Sequence, residues 1–581
     1  MSRASLGLLL LVVATGFIAC GRDRSQPVEP LEPVDGGLPP SGGGTSPWQG
    51  LPGARLEPLA AASSARTERF MTSDECAVCH AASAGSSALR DDKGRDVSPS
   101  SSWRGSMMGL AARDPYYLAV LEHELSAHPG AESTVMSTCT RCHAPAANVE
   151  LQAAGKVLSF TDLTRGPSNE SVVGRDGVTC SLCHQIQPTN LGTAASFTGG
   201  YVVDTSRTIF GPHESPFSMP MQQQVGYTPV ASAHTRDSGL CGSCHTVVTH
   251  SLDATGAPAG PDTLEQGPFV EWSVSSFAKP GGKSCQDCHM PTVDDDGAAI
   301  STVLSLRPGG NRLSKRSPFG RHTFVGANGL MLRVLANERT WAGFDAPPEL
   351  LFAEANRADA SLRTAARLVV AGTERSGSEL IVRIRVDNLT GHKLPTAYPS
   401  RRMWLHFRVT DEAGLVVFES GGHRGGRIVD GAGVILDGKD AVLPHLSEIS
   451  QRSEVQVWEA IMRSAEGKAA GNLLDATGYL KDDRVLPDGF DRADSRSTLA
   501  HPVGTENDAD FVPASDTVSY RVATPPARGT IEVVLLYQTI RPSELEQLAV
   551  HPGPAALRFL DMIGPNAMEP AVLATLAVPI P

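Results

Sequence analysis

Cys76-Ala77-Val78-Cys79-His80 is the first of five occurrences of one pattern, two cysteines two residues apart with a histidine directly after the second. The others are Cys139-Thr140-Arg141-Cys142-His143, Cys180-Ser181-Leu182-Cys183-His184, Cys241-Gly242-Ser243-Cys244-His245 and Cys285-Gln286-Asp287-Cys288-His289. On a helix, residues three apart are neighbours, so the two thiols of each pentapeptide share a face. That spacing suits thioether bonds to two haem vinyl groups, with the next residue, histidine, placed to ligate iron from the same side. A zinc site or a redox dithiol would account for one such motif. Neither accounts for five when the chain has 11 cysteines and only Cys20 lies outside them. The expected cofactors are therefore five c-type haems, with His80, His143, His184, His245 and His289 as proximal iron ligands.

The motifs begin 63, 41, 61 and 44 residues apart, so five haems would share the stretch from Cys76 to His289 and would have to pack near one another. Sixth ligands must come from the remaining histidines or from methionine, and an empty sixth position would admit a substrate. His213, His234, His250 and His322 lie within or just beyond the motif region and are candidate distal ligands. His392, in Asn388-Leu389-Thr390-Gly391-His392-Lys393-Leu394-Pro395-Thr396, is a fifth, because a turn between two strands can project a side chain onto a neighbouring domain. His123, His128, Met107 and Met108 are weaker alternatives. His406, His423, His445, His501 and His551 read as solvated or packing residues.

Further outward, Leu6 to Ala19 is an apolar run of signal-peptide length following Arg3. It ends in Phe17-Ile18-Ala19-Cys20-Gly21, which resembles the lipobox of bacterial lipoproteins, with phenylalanine where leucine is usual. Residues 1–20 are thus expected to be a signal peptide and Cys20 a lipidation site. Residues 21–66, rich in proline, glycine and serine, read as a flexible linker. Residues 67–345 form the pentahaem domain, with helical spacing from Ser102 to Leu121, and 346–372 a helical connection. Beyond it, Leu380, Val382, Ile384 and Val386, then Met403, Leu405, Phe407 and Val409, alternate with polar residues at strand period. Further strands are expected at 517–522 and 531–537. The fold class is multidomain: a mainly α and irregular multihaem cytochrome domain followed by an all-β sandwich-like domain over 373–581.

The formal charge of -13, with no Lys/Arg-rich run, argues against nucleic acid as a partner and leaves a lipid anchor as the expected membrane attachment. Arg401 and Arg402 could pair with haem propionates. Asp294-Asp295-Asp296-Gly297 could hold calcium, although such a run is commonly a solvated turn.

Trp103-Arg104-Gly105-Ser106-Met107-Met108 with Arg113-Asp114-Pro115, Gly177-Val178-Thr179 before the third motif, and Met290-Pro291 after the fifth resemble the cytochrome c-554 family and its multihaem relatives among nitrite reductases and hydroxylamine oxidoreductases. The resemblance spans about residues 70 to 410. It implies bis-histidine haems, stacked in pairs, in an electron-transfer protein of the periplasm or cell surface. The leading expectation is an electron conduit to redox partner proteins or an extracellular electron acceptor, and the lipobox adds the outer membrane as a place for it. The alternative is a multihaem reductase of a small nitrogen or sulfur compound, acting at a haem without a sixth ligand. A pyridine haemochrome assay on purified protein should return five haems per chain, and Cys139→Ser/Cys142→Ser should return four; a wild-type count below five would remove at least one motif from the set.

Overall fold

The computed structural model describes residues 48–253, 255–306 and 313–581. The expected signal peptide, Cys20 and the first part of the expected linker lie outside them. The motif region is assembled from short helices and loops, and proline and glycine set the lengths. Asp114 accepts the Tyr116 N–H at the start of the helix Pro115–Ala127, and Ser98 caps Pro99–Arg104; each has proline in its first turn, where a missing N–H costs nothing. The continuous helical spacing over Ser102–Leu121 is therefore interrupted. Between the two helices the chain turns so tightly that a side chain at Gly109 would meet the Trp103 carbonyl oxygen at 2.6 Å. The connection over 346–372 is also shorter than expected: its helix is Pro348–Leu362, and from Ala366 the chain is already strand.

The two sheets of the sandwich are built from β1 (Ala366–Ser376), β2 (Glu379–Asn388), β3 (Arg402–Asp411), β4 (Val416–Ser420), β5 (Glu448–Ile449), β6 (Val457–Ser464), β7 (Ala476–Asp482), β8 (Ser515–Ala523), β9 (Gly529–Gln538) and β10 (Ala571–Pro579). One sheet has the order β5-β8-β2-β1; the other runs β7-β6-β3-β9-β10, with β4 paired to β3. The alternation seen in the sequence becomes the core between them. Leu380, Val382, Ile384 and Val386 of β2 and Met403, Leu405, Phe407 and Val409 of β3 are buried in one cluster. The Phe407 and Tyr520 rings stack across the gap with centroids 3.8 Å apart.

Both ends of the described chain depart from the expected boundaries. Residues 56–62, assigned to the linker, run along the body as a strap: Leu56 N–H bonds to Pro554, Leu59 to Trp341, Ala60 to Thr164 and Ala62 to Gly343. Trp48 and Leu59 are buried, which a solvated tether would not achieve. The C-terminal segment is not all β either. Its helices Pro542–Leu548 and Pro554–Met562 leave the sandwich and pack with Tyr116, Ala119, Met331 and Val334. Glu122 caps the second of them by accepting the N–H groups of Ala555 (2.7 Å) and Ala556 (3.2 Å).

Glu124, on the same helix as Glu122, is buried and accepts the Leu473 and Leu474 N–H groups at 2.5 and 3.4 Å. Burial pushes its carboxyl up to about 8, the backbone donors only partly opposing the shift. A folded-state value above the ordinary 4.5 gives stability that is complete below 4.5 and is lost as pH rises through 8. The melting temperature should therefore fall between pH 5 and pH 9 by more in the wild type than in Glu124→Gln; equal slopes would show that this carboxyl ionises freely in the folded protein.

Candidate haem centres

The five motifs sit on short helices or their ends. The first closes Ser73–His80, the second Glu132–His143, and the third opens Cys180–Cys183 under a cap from the Thr179 hydroxyl to the Leu182 N–H. The fourth begins at the end of Ser238–Gly242, and the fifth, Cys285–His289, has a reciprocal capping box between Ser284 and Asp287. Cys76, Cys79, Cys139, Cys142, Cys180, Cys183, Cys241, Cys244 and Cys285 are unpaired thiols, all partly accessible.

Four motif histidines are oriented by the same device, in which Nδ1 donates to a backbone carbonyl. The distances are 2.8 Å from His80 to Leu304, 3.0 Å from His143 to Ala111, 2.6 Å from His184 to Phe210 and 2.5 Å from His289 to Val325. A proton held on Nδ1 leaves Nε2 with its lone pair, the form that binds a metal. Burial reinforces that state, pushing His143 down to about 4 and lowering His80 and His184.

Two of these rings face a second imidazole. His184 and His322 have centroids 6.2 Å apart and planes 25° from parallel; His289 and His392 are 6.4 Å apart at 18°. The second rings are anchored like the first, His322 Nδ1 to the Gly320 carbonyl at 3.2 Å and His392 Nδ1 to that of Lys393 at 2.9 Å. A metal–imidazole bond of about 2.0 Å on either side, plus roughly 1.1 Å from nitrogen to ring centre, sets centroids about 6.2 Å apart across one ion. Both pairs meet that requirement, so the residues present fit an iron held between His184 and His322 and another between His289 and His392. The turn bearing His392 reaches from the sandwich to the fifth motif.

The remaining candidates are placed differently. His234 has both nitrogens engaged, Nε2 with the Ile186 carbonyl at 2.9 Å and Nδ1 with the Ser232 hydroxyl at 2.7 Å, so the structure does not present it as a ligand. His250 is exposed and pairs with Asp262 at 3.3 Å. His213 is half-buried after the strand Thr208–Gly211, its imidazole lowered by burial and then by Arg316 and Arg236. His128 lies between Glu124 and Asp475, and Met107 packs in the apolar core.

Of the two arginines, Arg402 is turned away from the motifs into an ion pair with Asp437 at 2.6 Å and over the Trp404 ring. Arg401 stays close enough to lower His392, behind burial, the Lys393 carbonyl, Glu271 and His289. The Asp294–Asp296 run is taken up by cations of the chain itself: Arg95 on Asp294, Arg321 and Arg357 on Asp295, and Lys93 and Arg95 on Asp296. It is thus not arranged as a calcium loop.

Thiol contacts relate the motifs to one another. Cys180 lies close enough to Cys76, Cys244 to Cys142 and Cys285 to Cys241 to raise the Cys76, Cys142 and Cys241 thiols. Cys183, pushed up to about 12 by burial first, also feels Cys244. The first motif therefore adjoins the third, and the fourth adjoins the second, third and fifth. Two residues at the second motif carry no signal in the sequence. Tyr117 stacks on His143 with centroids 3.7 Å apart and a buried hydroxyl that has no partner. Burial pushes the Glu265 carboxyl up to about 7, and its charge in turn raises Cys139 and Cys142.

No family model matches this chain, and no curated protein does. Among solved structures, the chain is similar to a penta-heme cytochrome c552 from Thermochromatium tepidum, with 17% identity, a TM-score of 0.48, and coverage of 88% of this chain and 99% of that one.

If His392 closes the fifth centre, His392→Ala should convert one low-spin ferric signal to high spin in electron paramagnetic resonance of the oxidised protein, while His250→Ala leaves the spectrum unchanged. Identical spectra for wild type and His392→Ala would remove this residue from the ligand set.

Proposed function

We propose that the protein transfers electrons through five covalently attached c-type haems. The observation that carries this reading is the pair of facing imidazoles, His184 with His322 and His289 with His392, at centres whose thiols adjoin those of other motifs. Bound haem supplies a reversible one-electron couple. The chain's part is to attach, orient and insulate it. The ten motif cysteines would form the thioethers and the five motif histidines would ligate the irons, with His322 and His392 as second protein ligands at the third and fifth centres. Carbonyls on Nδ1 fix the rings of His184, His289, His322 and His392, so these ligands are already in position.

Adjacent motifs offer a branched route with the fourth as its junction. Such a route suits a relay between redox partner proteins, or toward an extracellular electron acceptor. With the apolar leader and Cys20, the reading extends to an exported protein, periplasmic or held at the outer membrane by lipid. Among the described residues no helix is long and apolar enough to cross a membrane.

A reductase reading has one specific observation in its favour. At the second motif the unpartnered Tyr117 hydroxyl and the Glu265 carboxyl, held near 7, are proton-bearing groups next to Cys139 and Cys142. The two readings separate in a spectroelectrochemical titration of the oxidised protein. The electron-transfer reading expects several overlapping one-electron steps and no spectral change on adding nitrite or hydroxylamine; a stoichiometric shift of a high-spin band by either compound, with turnover, would replace it by the reductase.

A further inference from the structure

His445, expected to be a solvated or packing residue, packs on Phe511 within a buried cluster of acids in the sandwich. Its Nδ1 is 3.0 Å from Asp483 Oδ2, and its Nε2 is 2.9 Å from Asp508 Oδ2 and 4.0 Å from Asp516 Oδ2. The side chains of His445, Asp483, Asp508 and Asp516 are 4%, 0%, 5% and 1% exposed, so all four are out of water. One donor atom each from His445, Asp508 and Asp516 falls within 4.8 Å of the others.

Three features distinguish the cluster from an ordinary ion pair. First, Asp483 is a fixed support: it accepts the Glu459 N–H at 2.9 Å and the Gln456 amide at 3.0 Å while holding Nδ1 of His445. A carboxylate on one ring nitrogen with the other directed at further ligands is the supporting arrangement of a metal-bound histidine. Second, Asp516 gives Oδ2 to the Trp458 indole N–H at 2.7 Å, but its Oδ1 is buried with no partner at all. A buried carboxylate oxygen left unpaired is expensive unless something meets it. Third, acids outnumber cations: among the described residues Asp483, Asp508 and Asp516 are paired with His445 and with the Lys481 ammonium, 3.4 Å from Asp483 and shared with Glu459 at 3.6 Å.

We propose that His445 Nε2 and the carboxylates of Asp508 and Asp516 bind one divalent first-row transition-metal ion, with zinc the best match. The ion would supply the missing positive charge and a partner for Asp516 Oδ1. One imidazole with two carboxylates suits zinc or manganese, whereas calcium takes oxygen donors alone and more of them. The site joins the loop bearing His445, the segment bearing Asp508 and strand β8.

The test is calorimetric titration of ZnCl2 into intact, EDTA-stripped haem-loaded protein, with Asp508→Asn and Asp483→Asn alongside and CaCl2 as a second probe. Visible and circular-dichroism spectra matching wild type establish that each variant is folded. The expected result is one strong zinc site per chain, weakened at least ~100-fold in Asp508→Asn and ~10- to 100-fold in Asp483→Asn, where only the support of His445 is altered. Should Asp508→Asn misfold, Asp516→Asn takes its place with the same expectation. Equal zinc affinity in wild type and a folded Asp508→Asn would mean the metal sits elsewhere and overturns the proposal; so would no zinc binding by the wild type at 1 mM (roughly the −4.1 kcal/mol level). Tighter binding of calcium than of zinc would overturn the assignment to a transition metal.

Discussion

A buried cluster of four alternating charges fixes where the two halves of this molecule meet. Glu271, from the helix Pro268–Ser273 of the motif region, pairs with Arg484 at 3.1 Å; Arg484 pairs with Asp482 at 2.7 Å, and Asp482 with Lys393 at 2.6 Å. Glu271 also accepts the Lys393 N–H and the Thr396 hydroxyl. All four side chains are essentially out of solvent, so desolvation consumes much of the Coulomb attraction, and the net stabilisation is small compared with the cost of removing one member, ~3–5 kcal/mol. The value of such a cluster lies in position. Lys393 follows His392 directly, and His392 reaches the His289 ring only because the turn is held at both ends, by Glu271 and by the Asn388 amide on the His392 and Val485 carbonyls. The same cluster that joins the domains therefore sets an imidazole to within coordination distance.

How much of this was legible in the residues depends on the range of the interaction. The motifs are local patterns and were read directly, as were β2, β3, β8 and β9, whose apolar residues recur at period two. The strands β1, β5, β6, β7 and β10 were not foreseen: β6, for example, is buried along nearly its whole length and so lacks alternation. The helix Pro554–Met562 is short and was overlooked among the expected strands, and the strap at residues 56–62 has the composition of a linker, yet is held by four backbone hydrogen bonds that local sequence does not encode.

The histidines show the same limit. His322, His392, His234 and His250 all had reason to be distal ligands. What separates them is which carbonyl or carboxylate stands beside each ring in the folded chain, and those partners come from Gly320, Lys393, Ile186 and Asp262. The acidic surroundings of His445 are hidden in the same way, since Asp483, Asp508 and Asp516 are between 38 and 71 residues away along the chain. The Asp294–Asp296 run erred in the opposite direction: three adjacent acids looked like a cation site until Arg95, Arg321, Arg357 and Lys93 were found on them.

The contact between Glu122 and Ala555 spans 433 positions and closes almost the whole described chain into a loop. Contacts of such long range form late, because loop closure must be met before the packing it allows can reward it. Chain made N-terminus first offers its five motif helices well before Pro554–Met562 exists to cover Tyr116 and Ala119. The motif helices are short enough to form and fray on their own. The docking of Pro554–Met562 onto Tyr116 and Ala119 is therefore a late fastening, joining the two ends of the described chain after the segments between them have had time to fold.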